Sequence, residues 1–205
     1  MSFDAATIKQ AVKHLRKSDV TMGQVIRAVG PFALKTRPGG YAVVVRSILS
    51  QQISTAAAET IRKRLESLLP KGHLVPASLA KLTDDQLQSV GISGQKRSYI
   101  RDLTRKTLDG TIDFRRIAGK NDEDAIEELV QVKGIGRWTA QMYLIFSLGR
   151  LDVFAPDDLG LQNAIRALYA TPEKPEKKYF EAIAESWAPY RTVASWYLWR
   201  SLETK

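Results

Sequence analysis

The apolar positions of this chain recur mostly three or four residues apart, the spacing of a helix buried on one face. Between Asp4 and Lys17, Ile8, Val12 and Leu15 share a stripe, and Asp4 stands where an N-cap belongs. A second short helix fits Met22–Val29. Two prolines and three glycines break the period over Gly30–Gly40 (GPFALKTRPGG), which reads as a connector. Helical spacing resumes over Tyr41–Leu49 and Thr55–Leu69, with polar Ser50-Gln51-Gln52 between them. After the loop Pro70–Pro76, the spacing predicts short helices near Ala77–Leu82 and Asp84–Val90 and a longer one over Gly94–Leu108. Further helices run from Asn121 to about Val132 and over Arg137–Leu148. Beyond the link Leu151–Asp157, the last three fit Asp158–Tyr169, Lys177–Trp187 and Tyr190–Leu202. Val43-Val44-Val45 favours a strand on propensity. No second strand-like run is present to pair with it, and Ile48 and Leu49 continue the helical spacing. The expected fold is all-α, with about ten helices and no repeats.

Composition narrows the class. Of 205 residues, 44% are hydrophobic and 26% charged, an ordinary globular balance that excludes wholesale disorder. Thirty-one Lys and Arg against 22 Asp and Glu leave a net charge of +9, which calls for a polyanionic partner. The absence of cysteine excludes disulfides, iron–sulfur clusters, thiolate zinc sites and cysteine nucleophiles. His14 and His73 alone do not make a multi-histidine metal centre. No run approaches the roughly 18–20 apolar residues of a membrane span, and the N-terminal stretch mixes acids and bases without the apolar core of a signal peptide. The expectation is an intracellular protein without membrane association, in the cytoplasm or nucleoid of a bacterium or the nucleus of a eukaryote.

The most informative local pattern is Leu129-Val130-Gln131-Val132-Lys133-Gly134-Ile135-Gly136-Arg137-Trp138-Thr139-Ala140. Two helices meet at a turn carrying glycines 134 and 136. Glycine admits positive φ and lets backbone approach a ligand closely. The free N–H groups of the second helix suit a phosphate oxygen, and Arg137 adds charge beside them. Ile135 can plug the gap between the helices. A bare Gly-x-Gly turn is more often a plain helix cap, but the longer string resembles the helix-hairpin-helix motif.

The likeness extends beyond the hairpin. Ser50-Gln51-Gln52-Ile53-Ser54, Gly134–Ala140, Asp152-Val153-Phe154-Ala155-Pro156-Asp157-Asp158 and Trp187-Ala188-Pro189-Tyr190-Arg191 occur in this order across about residues 41–200. Together they resemble a DNA glycosylase of the helix-hairpin-helix superfamily, most similar to its alkylpurine branch, the 3-methyladenine DNA glycosylase II type. That resemblance implies a two-lobed helical fold. One lobe covers about residues 36–150 and ends with the hairpin; the other joins about 1–35 to 151–205, with the active cleft between them. Longer enzymes of the type begin with a β-rich domain, so this chain resembles a compact form.

The resemblance places the catalytic aspartate at Asp158. An Asp before a helix is ordinarily a cap, yet cleavage of a deoxynucleotide C1′–N bond builds oxocarbenium charge that a nearby carboxylate stabilises. The same group can take a proton from the attacking water. Asp157 reads better as a solvent-exposed capping partner. Bifunctional relatives carry a Schiff-base lysine where this chain has Trp138, and iron–sulfur relatives carry four cysteines. Hydrolysis without strand cleavage is therefore expected, with no cofactor needed for the chemistry.

For the base pocket the candidates are Trp138, Met142 one turn later, Tyr143 beside it, and Trp199, which holds a position where the alkylpurine branch has a pocket tryptophan. Aromatic faces suit a purine made cationic by methylation. Trp187 and Trp196 read as core. A flipped base leaves a gap; the resemblance points to Gln52 as the wedge, with Ile53 next, although related enzymes use an apolar residue there. Gly134, Gly136, Arg137 and Thr139 are the candidate phosphate binders, with Lys96 or Arg97 as a weaker second contact. The resemblance also implies sodium or potassium on the backbone carbonyls of Val130, Val132 and Ile135. A monomer acting on double-stranded DNA that contains damaged bases is expected. Two rivals remain: a non-catalytic helix-hairpin-helix module, which leaves Asp158, Trp138 and the Gln-Gln turn unexplained, and a glycosylase for another lesion.

Overall fold

A computed structural model describes residues 3–37 and 39–203; Pro38, one of the connector's two prolines, lies outside them. The described secondary structure is entirely helical. In chain order the α-helices are α1 (Ala5–Ser18), α2 (Val20–Val29), α3 (Gly40–Ser50), α4 (Thr55–Ser67), α5 (Pro76–Leu79), α6 (Asp84–Ser89), α7 (Gly94–Leu108), α8 (Phe114–Ala118), α9 (Asp122–Leu129), α10 (Arg137–Tyr143), α11 (Leu159–Leu168), α12 (Lys177–Glu185) and α13 (Arg191–Ser201). Most follow the sequence pattern within a residue or two. The short α8 was not expected: five residues are too few to show a period, and Asp113 makes it possible by accepting the Arg115 N–H at 2.8 Å.

The helices gather into two compact units, Arg37–Tyr143 and Met1–Thr36 with Leu144–Lys205. The two units divide at Tyr143–Leu144, a few residues before the boundary expected near residue 150, and Arg137–Leu148 is not one uniform α-helix. It is α-helical to Tyr143 and then widens into a single π turn, Leu144–Leu148.

In the Arg37–Tyr143 unit, α3 is central. Tyr41, Val43, Val44, Val45, Ile48 and Leu49 are all buried, against α4, α7 and α10. A helix apolar on nearly every side gains more from burial than its valines lose in helix propensity. Gly40 is needed at its start: a Cβ there would lie 2.6 Å from Phe114 and 2.8 Å from Tyr143. The Tyr41 hydroxyl and Thr104 Oγ1 are 2.7 Å apart, and burial pushes the phenol up to about 12. Lys96 and Arg97, weighed as DNA contacts, each hold a backbone carbonyl. Lys96 Nζ donates to the Leu49 carbonyl at 2.7 Å, and Arg97 donates to the Ile92 carbonyl at 2.8 Å. Burial lowers the Lys96 ammonium below its ordinary range.

In the other unit, seven consecutive residues of α13, Thr192–Leu198, are buried, and α1, α2 and α11 pack on it. Asp19 ties three segments together. One oxygen caps α2 through the Met22 N–H at 2.8 Å; the other accepts the Tyr169 hydroxyl and the Trp187 indole N–H, each at 2.8 Å. Trp187 is fully buried and Trp196 nearly so, as their core assignment requires. The link toward Asp158 is fixed at its start. Arg191 donates to both oxygens of Asp152 at 2.7 Å, while Thr192 Oγ1 accepts the Val153 N–H and donates to the Arg150 carbonyl. Burial raises the Asp152 acid, but the Arg191 guanidinium outweighs it and holds the carboxyl below its usual range.

Candidate active site

The hairpin is built as Gly134 requires, with a longer turn than expected, since α9 stops at Leu129. Gly134 has φ +76°, and a Cβ there would sit 2.1 Å from the Tyr99 ring. It is needed twice, for backbone conformation and for close packing. Gly136 is exposed, and a Cβ on it would meet nothing within 4 Å, so the space above it is open to a ligand. Val132 and Ile135 are buried at 1% and 4% exposure and plug the turn from beneath.

The turn is clamped from α7. Asp102 accepts the Lys133 backbone N–H at 2.9 Å and pairs with Lys106 at 3.0 Å and Arg105 at 2.8 Å, while Lys106 also donates to the Gln131 carbonyl. Burial would raise the Asp102 acid; the Lys133 N–H, Lys106 and Arg105 outweigh it and hold the carboxyl at about 2. A second clamp comes from Gln51, whose side-chain amide donates to the Gly134 carbonyl at 3.0 Å and to Thr139 Oγ1 at 3.3 Å. Sequence reasoning missed Asp102 altogether, and it placed Gln51 in a matching motif without its role as a clamp, because the partners of both lie far away in the chain. The Gln51 contact also corrects Thr139: its side chain is 2% exposed and belongs to the protein's interior rather than to a phosphate site. Arg137 makes a two-pronged ion pair with Glu123 at 2.8 and 2.5 Å, both side chains remaining largely exposed.

Beside Gln51, Gln52 projects from the exposed turn with φ +56°. For a residue with a Cβ this left-handed conformation costs about 1–2 kcal/mol, and such strain collects at functional positions. The neighbours hold it there: Gln51 is tied to the hairpin, and Ser54 caps α4 through the Ala57 N–H at 3.3 Å. Ile53 is 38% exposed.

Asp158 caps α11 and is 9% exposed. Its Oδ1 accepts two N–H groups, from the Leu161 backbone at 2.8 Å and from the Trp199 indole at 2.9 Å. The Trp199 ring stacks on Phe146, with centroids 5.7 Å apart and planes 24° from parallel. Trp199 was expected to offer its face to a base. Its edge holds the carboxylate, and Phe146, on the π turn, backs one face. Gly160 leaves room for this: a Cβ there would stand 3.0 Å from Trp199 Cδ1 and 3.1 Å from Asp158 Oδ1. Asp157 is exposed and paired with Lys177 at 2.7 Å.

Of the remaining pocket candidates, Trp138 is half-buried at the start of α10 and Met142 is buried at 5% exposure. Tyr143 is core rather than pocket. It is 1% exposed, 5.5 Å from the Phe114 ring, and its hydroxyl donates to the Phe114 carbonyl at 3.4 Å. Among the described residues no group of three or more acidic or histidine side chains converges on a metal position, and no helix is long and apolar enough to cross a membrane.

A glycine hairpin clamped at its turn, with a capped aspartate downstream of a Pro-Asp pair, defines a helical protein of the helix-hairpin-helix class. Residues 45–189 match the HhH-GPD superfamily of base excision DNA repair proteins, and the chain belongs to that family. Among its relatives is the DNA-3-methyladenine glycosylase 1 of Schizosaccharomyces pombe, 34% identical over 200 residues that cover 95% of this chain and 88% of that protein. The solved structure of the S. pombe 3-methyladenine DNA glycosylase in complex with abasic DNA superposes with a TM-score of 0.89 at 33% identity, covering 95% of this chain and 97% of that one. The crystal structure of the DNA-3-methyladenine glycosidase from Bacillus halodurans gives 0.81 at 37% identity, covering 98% of this chain and 91% of that one.

Proposed function

We propose that the protein is a monofunctional DNA glycosylase of base excision repair, hydrolysing the N-glycosidic bond of alkylated purines in duplex DNA. The observation that carries this reading is Asp158. It is a nearly buried carboxylate whose Oδ1 is fixed by two N–H donors, in a chain of this family. A fixed anion needs no reorganisation as positive charge develops on the deoxyribose, which is where electrostatic catalysis gains most. Water attacks the sugar carbon as the base leaves, and Asp158 is the group available to accept its proton. Trp138, in place of a lysine, offers no amine nucleophile, so the product is an abasic site in an uncut strand.

The other residues prepare the substrate. Gly136 and the backbone at the start of α10 take a backbone phosphate, for which Arg137 exchanges its exposed pair with Glu123. Gln52, held strained at the turn tip, fills the place of the flipped nucleotide, with Ile53 beside it. The half-buried Trp138 stacks on the extruded base, a cation when the purine is methylated. In this reading the protein acts as a monomer. Neutral carbonyls of Val130, Val132 and Ile135 suit a monovalent ion; that of Val132 accepts the Ile135 N–H at 3.0 Å and keeps its second lone pair for such a ligand. Sodium or potassium there supplies positive charge toward the phosphate. Affinity for duplex DNA that ignored the identity of the ion at fixed ionic strength would remove this part of the proposal.

The decisive experiment incubates the protein with duplex DNA treated with a methylating agent. Released 3-methyladenine or 7-methylguanine, with the strand cut only after alkali, is the expected result. Duplex binding without base release, or cleavage without alkali, would overturn it.

A further inference from the structure

Most of the chain's excess charge lies near its N-terminus. Residues 5–37 hold seven Lys or Arg and one acid, Asp19, whose two oxygens are committed to Met22, Tyr169 and Trp187. Five of the seven cations, Lys9, Lys13, Arg16, Arg27 and Lys35, rim an open groove of about 1130 Å³ within the unit that contains Asp158. All five are exposed, and none is ion-paired among the described residues. Elsewhere Arg105, Arg116, Arg137 and Arg191 each have a carboxylate partner. No acidic residue lines the groove among the described residues.

The floor is apolar and well built. Ile8 and Val12 come from one face of α1, Ile26 from α2, Phe32 and Leu34 from the connector, and Tyr197 from α13. Phe32 packs edge-on against Trp196 with centroids 4.7 Å apart, and the Tyr197 hydroxyl donates to the Gly30 carbonyl at 3.2 Å. Tyr197 and Trp199 stand two residues apart on α13, about 200° around the helix. The groove therefore faces away from Asp158, and an occupant leaves the carboxylate uncovered.

The geometry points to a docking site for an acidic amphipathic helix of a partner protein, its apolar face in this floor and its carboxylates against the five cations. Aliphatic and aromatic floor groups are the receptors of helix-in-groove recognition, which uses anchors at i, i+3, i+4 and i+7. A rim of unpaired cations selects acidic partners and speeds encounter. A DNA backbone fits this surface less well, because its contacts are to phosphate and sugar and leave the apolar floor unused. The volume also exceeds the roughly 300–1,000 Å³ of small-molecule sites.

The test uses the full chain and a fluorescein-labelled synthetic peptide of about 16 residues, long enough to form helix, with Leu at i, i+3, i+4 and i+7 and Glu elsewhere. A scrambled peptide of the same composition, undamaged duplex and an oligothymidylate are measured beside it. Micromolar binding of the patterned peptide is expected, weakened by salt and at least about tenfold by Lys9→Glu/Lys13→Glu/Arg27→Glu. Ile8→Gln should weaken it without altering the salt dependence. Both variants should keep the wild-type melting midpoint and base-release rate. Equal binding of the scrambled peptide, no binding of either, or parallel loss of peptide and duplex affinity in the triple variant would overturn the proposal; the last would make the groove a DNA surface.

Discussion

Replacing Asp158 by Asn tests the catalytic assignment with little structural disturbance. Asn retains an oxygen where Oδ1 accepts the Leu161 and Trp199 N–H groups, so the cap survives. The two bonds weaken from charge-assisted to neutral, a loss of about 1 kcal/mol in stability. What disappears is the anion facing the developing oxocarbenium ion. Two unit charges 4 Å apart interact by about 4 kcal/mol at an effective dielectric of 20. Full charge is never reached at the transition state, so the expected loss is about 10²–10³ in rate. Asp157→Asn removes only the exposed pair with Lys177, worth about 0–1 kcal/mol in stability, and should leave the rate unchanged. Trp199→Phe retains a ring to stack on Phe146 but removes one donor from the carboxylate, and should fall between the two. The assay is single-turnover release of a neutral base such as hypoxanthine, if it is a substrate, or otherwise of 7-methylguanine, at saturating enzyme, with duplex affinity and melting measured in parallel. Near-normal release by Asp158→Asn, or a greater loss in Asp157→Asn, would refute the reasoning.

Four further predictions address the hairpin and its neighbours. Gly136→Leu should fold normally, because the added side chain meets open space, yet bind undamaged and damaged duplex equally weakly, with a salt slope smaller by about one. Gly134→Ala should instead lower the melting temperature, since it combines positive φ with a clash against Tyr99. Gln52→Gly should hold or raise stability by up to about 1 kcal/mol by relieving the left-handed backbone, while slowing base release; unchanged release would remove Gln52 as the wedge. The folded-state acid of Asp102 is held at about 2, below its ordinary 3.8. Its contribution of about 2 kcal/mol is therefore complete above pH 4 and lost as pH falls from about 4 to 2. Denaturant titrations of wild type and Asp102→Asn should differ above pH 4 and converge toward pH 2.

The class of fold, nearly every helix and the identity of the hairpin were legible in the sequence, because each depends on residues within a turn or two of one another. Periodic apolar positions mark buried faces, Asp and Ser mark starts, and Gly134 and Gly136 mark a turn by their backbone freedom. Asp158 was legible through a motif whose spacing is short. The supports of these groups were not. Gln51 reaches the hairpin across 83 residues, Asp102 reaches Lys133 across 31, and Trp199 reaches Asp158 across 41. No periodicity or cap links residues so far apart; only the packing of α3, α7 and α10 in one unit, and of α11 and α13 in the other, selects these partners. The same packing turned Tyr143 into the core against Phe114 and buried Thr139 behind Gln51. Sequence placed both on a helix but not on a face, because the rotation of α10 is set by what it packs against. Local chemistry thus determined which groups stand at the site, and tertiary packing decided which of them are held rigid, which are buried and which remain open to DNA.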